Sequence, residues 1–211
     1  MIKRVGLVLM LISSVMISAR DCISKDITID VNEWSISVDC TRLNLFEFHI
    51  DDNKAEKIAT ALEKNEILTE LGLIGNKIGD KGAKALAEVL MENETLTLLD
   101  LRRNKIEDLG AKELAAALNN KNKKLTDLYL SRNSIGDLGA KELAVALNNN
   151  KTLISLDLGH NNIGDVGAKE LAAAFKDDKT LEYLNLKGNK YNDETRKFLI
   201  KTQPENKTLD I

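Results

Sequence analysis

The chain has 211 residues, of which 43% are hydrophobic and 30% are charged, a composition typical of a folded soluble protein and not of a disordered segment. Its formal net charge is −3 and the sequence contains no basic block, so nucleic acid is not an expected partner. Aromatic residues make up only 4%, and the core must therefore consist of Leu, Ile, Val and Ala side chains.

The N-terminus combines a basic start with an apolar run. Lys3 and Arg4 precede an apolar stretch at 5–17, and small residues follow it. A membrane span needs about 20 apolar residues, so this shorter stretch is typical of a secretory signal peptide. We predict a signal peptide at 1–19 and a mature protein that is secreted, periplasmic or exposed at the cell surface. An uncleaved membrane anchor and an ordinary buried segment are the alternatives.

The segment after the signal peptide alternates apolar and polar residues on both sides of a central Asn-Glu pair. This alternation predicts an N-terminal cap at 20–42 that is built as a β-hairpin. The two cysteines of the chain, Cys22 and Cys40, both fall within the cap. In an oxidising compartment they are candidates for a disulfide, and the alternative is a pair of unrelated free thiols.

From residue 43 onward the sequence is repetitive. The pattern Leu-x-x-Leu-x-Leu-x-x-Asn opens five units, at Leu68, Leu96, Leu125, Leu153 and Leu181. The spacings are 28, 29, 28 and 28 residues, and a polar turn at 119–124 accommodates the extra residue. A weaker leading unit has Leu43, Leu45, Phe48 and Ile50 at the matching places.

Each half of the repeated unit has its own periodicity. The last two leucines of the opening pattern are two residues apart and therefore share one face of a short strand, while the Asn that follows can bond to loop backbone. The next motif, Ile-Gly-Asp-x-Gly-Ala, places an Asp such as Asp80 where a helix N-cap is expected. The helix then presents one apolar stripe, formed in the first strong unit by Ala83, Leu86, Ala87 and Leu90.

One such unit cannot bury its leucines alone, but stacked units can share a core. The sequence therefore predicts an α/β fold, a right-handed solenoid of parallel strands and helices, with repeats at 43–190. The pattern degrades at 191–211, where we predict a C-terminal capping repeat that ends in a truncated strand at 209–211.

The repeated motifs resemble the ribonuclease-inhibitor type of leucine-rich repeat over residues 43–211. Similar units occur in nuclease inhibitors, NOD-like innate immune receptors, GTPase activators of the Ran system and bacterial effectors. The resemblance implies a horseshoe with strands on the concave face and helices on the convex face, and recognition of proteins by the concave face and its adjoining loops. The chain departs from the pattern at Glu107, where Gly is usual, and in the last unit, where Gly-Asp-x-Gly-Ala is lost.

The sequence shows no catalytic or cofactor-binding constellation, so we predict neither an enzyme nor a cofactor. The two histidines, His49 and His160, fall in different units, and the cysteines and histidines lack zinc spacing. The glycines belong to the repeat and not to a phosphate-binding loop. The Asp residues recur once per unit, which fits helix capping better than metal binding. Three Asn-x-Thr sequons recur at one repeat position, beginning at Asn93, Asn150 and Asn206.

The positions that the repeat leaves free are the candidates for recognition. Around the strands they are rich in Tyr and Arg, the residue types that dominate binding energy at interfaces, with aspartates beside them. The predicted concave-face site comprises Asp100, Arg102, Arg103, Asp127, Tyr129, Arg132, Asp157, His160, Tyr183 and Asn185. The alternative is a solvated surface on which the arginines pair with the aspartates.

These observations predict a monomeric interaction module that binds a protein partner, with membrane contact only through an uncleaved N-terminal segment. The main alternative is a regulator of an enzyme, either a nuclease inhibitor or a GTPase activator. Those examples work in the cytosol, so the signal segment counts against this alternative. Delivery of an enzyme domain and edge-to-edge self-association are two further alternatives.

Overall fold

The computed structural model describes residues 41–119, 122 and 124–211. The signal peptide predicted at 1–19 and the cysteines Cys22 and Cys40 lie outside the described residues. The same holds for all but the last two residues of the cap predicted at 20–42. The signal peptide, the hairpin and the disulfide therefore remain predictions.

In the described part of the chain, seven three-residue strands alternate with six helices. The strands are β1 Arg42–Asn44, β2 Glu70–Gly72, β3 Leu98–Asp100, β4 Asp127–Tyr129, β5 Ser155–Asp157, β6 Tyr183–Asn185 and β7 Thr208–Asp210. The helices are α1 Asp52–Leu62, α2 Asp80–Leu90, α3 Asp108–Leu118, α4 Asp137–Asn149, α5 Asp165–Asp177 and α6 Asp193–Thr202. The truncated strand predicted at 209–211 is found one residue earlier, as β7.

The strands form one parallel sheet in which each strand pairs with the next along the sequence. The register places the central leucines side by side, so that Leu128 of β4 is flanked by Leu99 and Leu156. All three are fully buried. The sheet remains open, with strands on the concave face and helices on the convex face, which confirms the predicted α/β solenoid.

The helices turn their apolar stripe toward the sheet, as predicted. In α2 the four stripe residues are at most 2% exposed, whereas Lys84 and Glu88 face solvent and form an i, i+4 ion pair. Small Ala side chains on the inner face allow each helix to pack closely on its strand. Burial of these side chains between neighbouring units is the main stabilising contribution.

The repeat asparagines join each unit to the one before it. The Asn133 side-chain oxygen accepts the amide of Ile106, 3.0 Å away, and its nitrogen donates to the carbonyls of Leu101 and Leu130 at 3.0 and 2.9 Å. Equivalent bonds are made by Asn76, Asn104, Asn161 and Asn189. The ladder expected from the sequence is therefore present.

The repeat aspartates do not cap their own helices, and that prediction is wrong. Asp108 is the first residue of α3, and its side chain instead accepts the amides of Gly136 and Gly139 at the start of α4, at 2.7 and 2.9 Å. A Cβ atom at Gly139 would lie 2.9 Å from both Asp108 Oδ1 and Ala111 Cβ. The glycine is needed because the preceding helix and its carboxylate approach so closely.

The first and last helices of the described chain use caps of their own. Asp51 accepts the amide of Lys54 before α1, and Asn192 accepts the amide of Thr195 before α6. Thr195 stands where the internal helices have glycine. The preceding Asp165 still accepts the backbone amide of Asn192, but its second bond goes to the Asn192 side chain and not to the amide of Thr195. The loss of Gly-Asp-x-Gly-Ala in the last unit thus coincides with a change in how the helix is capped.

A second set of asparagines follows the helices. The side-chain nitrogens of Asn93, Asn122 and Asn150 donate to carbonyls at the end of the helix one unit earlier, at 2.7 to 3.3 Å. Asn122 keeps this role although its unit contains the extra residue, and the register from β3 to β4 is continuous. In two of the three sequons, at Asn93 and Asn150, the amide nitrogen is therefore engaged within the fold.

Candidate functional site on the concave face

The concave face is built from strand residues that flank the buried leucines. The register places Asp100, Tyr129, Asp157 and Asn185 in one row across strands β3 to β6. Neighbouring strands lie about 4.8 Å apart. Side chains of this row can therefore contact one another from unit to unit.

Arg102 and Asp100 form the centre of this face. The Arg102 Nε lies 2.9 and 3.0 Å from the two Asp100 carboxylate oxygens, and Nη2 lies 2.6 Å from Oδ2. The Asp100 side chain is 6% exposed, whereas that of Arg102 is 40% exposed. The bond to Asp100 raises the pKa of Arg102, although burial opposes the shift. Asp100 is thus a buried anchor that holds a half-exposed guanidinium in one orientation.

Tyr129 joins this pair to the next strand. The Arg102 guanidinium carbon lies 5.4 Å from the centre of the Tyr129 ring, within the range of a cation–π contact. The Tyr129 hydroxyl donates to Asp127 at 3.0 Å, and the other Asp127 oxygen accepts the Thr126 hydroxyl at 2.7 Å. The Arg102 cation therefore holds the face of the ring, and the Asp127 carboxylate holds its hydroxyl.

The remaining predicted strand residues form two further pairs. The Asn185 side chain donates to Asp157 at 2.7 Å, and Asp157 also accepts the amide of Gly159. The Tyr183 hydroxyl donates to Asp210 of β7 at 2.8 Å. The concave face thus holds one cluster of four, Asp100, Arg102, Tyr129 and Asp127, and two separate pairs, Asn185–Asp157 and Tyr183–Asp210.

Burial raises the pKa of Tyr129 and of Tyr183, and the carboxylates that accept hydrogen bonds from their hydroxyls, Asp127 and Asp210, raise it further. Both hydroxyls thus stay protonated well above neutral pH, where they act as hydrogen-bond donors. The face offers neutral aromatic rings together with guanidinium and carboxylate groups.

Arg103, Arg132 and His160 lie apart from these pairs, in the loops that leave the strands. All three are exposed and adopt the left-handed backbone region, with φ of 55°, 58° and 53°. Within the described residues, neither Arg103 nor Arg132 forms an ion pair. The alternative in which the arginines pair with the aspartates therefore holds for Arg102 but not for the other two.

Sequence reasoning missed some of the residues that form this face. Asp210, the partner of Tyr183, belongs to the last strand, which was interpreted only as a cap. Arg42 and Glu70 form an ion pair of 2.9 Å between β1 and β2. The 28-residue offset between Arg42 and Glu70 is a signal that could have identified the ion pair.

The helices and side chains that the structure describes lie within residues 41–119, 122 and 124–211. None of the helices described there is long and apolar enough to cross a membrane. Nor do these residues include a group of three or more His, Cys, Asp or Glu side chains placed to hold a metal ion.

Comparison with known proteins identifies the repeat. A family model described as leucine-rich repeat matches residues 64–87, 92–115, 121–144 and 149–172. No curated protein sequence matches significantly. Among solved structures, leiomodin-1 actin-binding site 2 is 22% identical, with a TM-score of 0.46 over 77% of this chain and 79% of that one. The plant peptide hormone receptor RGFR1 in complex with RGF2 is 20% identical, with a TM-score of 0.41.

That match covers 73% of this chain but only 22% of the plant receptor. At these identities and scores, the two structures add nothing about function. The repeat matches and the seven-stranded parallel sheet support the same conclusion. The chain carries leucine-rich repeats and folds as a leucine-rich-repeat solenoid.

Proposed function

We propose that the protein binds a protein partner through its concave face and that binding, not catalysis, is its role. The observation that carries this proposal is the cluster of Asp100, Arg102, Asp127 and Tyr129 at the middle of the sheet. Arg and Tyr are enriched among the residues that contribute most of the binding energy, and such residues cluster near the centre of an interface.

The cluster is already ordered before a partner arrives. Three side-chain hydrogen bonds to Asp100 and one ring contact fix Arg102, while Asp127 fixes the hydroxyl of Tyr129. Ordering a free side chain on binding costs about 0.5–1.5 kcal/mol, and a fixed cluster avoids most of that cost. The Arg102 bonds use Nε and Nη2, so the Nη1 donors remain available to an acceptor on the partner.

The double variant Arg102→Ala/Tyr129→Ala tests this proposal. We expect it to weaken partner binding by at least about 30-fold, which corresponds to about 2 kcal/mol. Wild-type and variant proteins are immobilised in equal amounts and incubated with cell extract or culture medium of the source organism. The bound proteins are then compared by quantitative mass spectrometry. Proteins that depend on the cluster are then titrated individually.

The matched control is Lys112→Ala/Lys141→Ala, which truncates two exposed residues on the convex helices. It removes as many side chains as the double variant and should bind like the wild type. Equal recovery of the same proteins by the wild type and by the concave-face variant, with unchanged circular dichroism, would contradict the proposal.

We also propose that the protein acts outside the cytoplasm and that its repeats are of the ribonuclease-inhibitor type. Support for export comes from the basic and apolar N-terminal sequence, and support for the subtype comes from the 28-residue period. Intact-mass analysis of protein from the exported fraction should give a chain that begins at Arg20. Recovery of the chain in the cytosol with residues 1–19 attached would contradict export and would favour an enzyme regulator.

A further inference from the structure

One edge of the solenoid has a net positive charge although the whole chain is acidic. We call it the strand-end edge; it comprises the loops after β2 to β6, at 74–79, 102–107, 131–136, 159–164 and 187–192, and the first turns of α3 to α5. The five loops contain seven Lys or Arg residues, and Glu107 is their only acid. The loops therefore carry +6, and the three aspartates in the first turns of α3 to α5 reduce the charge of the whole edge to +3, whereas the rest of the chain carries −6.

Three cationic or titratable side chains on this edge occupy strained backbone. Arg103, Arg132 and His160 have φ near +55°, as does the acidic Glu47 at the equivalent position of the first unit, whereas the positions in the units directly before and after the three are Gly75 and Gly188. Glycine adopts this conformation without strain, and a larger residue does not. The three middle units thus keep long polar side chains where the fold itself favours glycine, an arrangement that points to a role in binding.

An apolar row runs along the same edge, at the second residue of each middle helix. Leu109, Leu138 and Val166 are 68%, 72% and 60% exposed. The matching residues of α2 and α6 are polar, Lys81 and Glu194. The row therefore covers the same three units as Arg103, Arg132 and His160, and a coincidence of exposed apolar and cationic side chains marks an interaction surface.

The spacing of the row indicates the form of its partner. Packed helices lie about 8–10 Å apart, so the three apolar side chains recur at about that interval. Residues seven positions apart in an α-helix are separated by about 10.5 Å along its axis. We propose that the strand-end edge docks an acidic amphipathic helix of a partner protein, whose apolar side chains at every seventh residue meet Leu109, Leu138 and Val166.

Charge distribution favours this occupant over other polyanions. A nucleic acid or an anionic membrane extends beyond the edge and meets the −6 carried by the rest of the chain. The five loops also offer no exposed aromatic ring for base stacking, since Tyr191 is buried. The first-turn aspartates of the edge, Asp108, Asp137 and Asp165, each accept a backbone amide next to the start of the following helix and so are partly compensated. A short acidic helix contacts only this edge, whose net charge is positive.

Two synthetic helical peptides of about 21 residues test the proposal. Both have Leu at every seventh position, and the remaining polar positions are Glu in one and Lys in the other. Fluorescence anisotropy with the wild-type protein should show the Glu peptide binding at least about 10-fold more tightly than the Lys peptide, with the difference decreasing at high salt. Equal binding of the two peptides, or binding of neither, would overturn the proposal.

Three variants locate the binding. Arg103→Gly/Arg132→Gly removes two cations while relieving backbone strain, so its Tm should be at least that of the wild type and its affinity for the Glu peptide at least about 10-fold lower. Leu109→Ser/Leu138→Ser, which changes only exposed residues, should weaken binding similarly. Tyr129→Ala changes the concave face and should leave peptide binding unchanged. Loss of partner binding without loss of peptide binding therefore separates the concave-face proposal from the proposal for the strand-end edge.

The remaining outcomes also decide the matter. Full binding of the Glu peptide by either edge variant would show that the peptide docks elsewhere and would overturn the assignment. Binding of duplex RNA or of phosphatidylglycerol vesicles that Arg103→Gly/Arg132→Gly abolishes, in preference to the Glu peptide, would assign the edge to a different class of ligand.

Discussion

Replacing Asn161 by alanine is expected to lower the free energy of unfolding by about 3 kcal/mol or more. Asn161 is 5% exposed, accepts the amide of Ile135 and donates to the carbonyls of Leu130 and Leu158. Alanine leaves these backbone groups without partners, and each unsatisfied buried group costs about 1–3 kcal/mol. Equilibrium urea denaturation followed by circular dichroism measures the change.

The adjacent residue provides a matched control for this substitution. Asn162 is exposed, and its side chain makes one bond, of 3.3 Å, to the carbonyl of Ser134. Asn162→Ala should therefore change the free energy of unfolding by less than about 1 kcal/mol. If the two variants were equally stable, the asparagine ladder would not be what joins one unit to the next.

Leu128→Ala is the second substitution with a large expected effect. Leu128 is fully buried in the central strand β4, and it lies between the leucines of β3 and β5. Truncation leaves a cavity that adjoining units cannot fill without shifting their own strands, so we expect a loss of about 2–5 kcal/mol. The urea concentration at the midpoint of unfolding is measured for both proteins and converted to a free energy of unfolding with one shared m-value.

Leu138→Ala is the comparison for that variant, since it makes the same substitution at a residue that is 72% exposed. It removes the same atoms without opening a cavity and should change stability by less than about 0.5 kcal/mol. A loss at Leu138 as large as that at Leu128 would mean that the two faces of the solenoid are wrongly assigned.

Much of this fold can be predicted from the sequence because each unit obeys two simple periodicities. Leucines two apart specify one face of a strand, and an i, i+3, i+4, i+7 stripe specifies one face of a helix. The repetition then forces the units to stack, since a 28-residue unit has no other way to cover its leucines. Register, strand order and the asparagine ladder all follow from stacking.

The capping aspartates show where this reasoning stops. Asp108 stands close to the start of its own helix in sequence, which led to the expectation of a self-cap. Its side chain points along the stack, where the start of α4 offers two free amides. Spacing within one unit cannot reveal this contact, because it depends on how closely two helices approach across Gly139.

The candidate site was predictable in position but not in pairing. The rows of the repeat placed Arg102 near aspartates, yet Asp100 and Asp127 were equally available by sequence. Side-chain geometry decides the outcome, since Arg102 reaches back to Asp100 on its own strand while the Tyr129 hydroxyl takes Asp127. Exposure of Leu109 and Leu138 was also not foreseen, because their positions were treated as variable parts of a helix start.

Hydrogen exchange on wild-type protein and on Asn161→Ala tests most directly whether the units are held only by their neighbours. The amide of Leu130 bonds to Asp157, and that of Leu158 bonds to Asn185, so β5 is bonded to strands on both sides. We expect the variant to lose protection from α4 through β6 together, with β1 and β2 least affected. Loss confined to 159–164, with wild-type protection in the strands on both sides, would contradict the stacked solenoid.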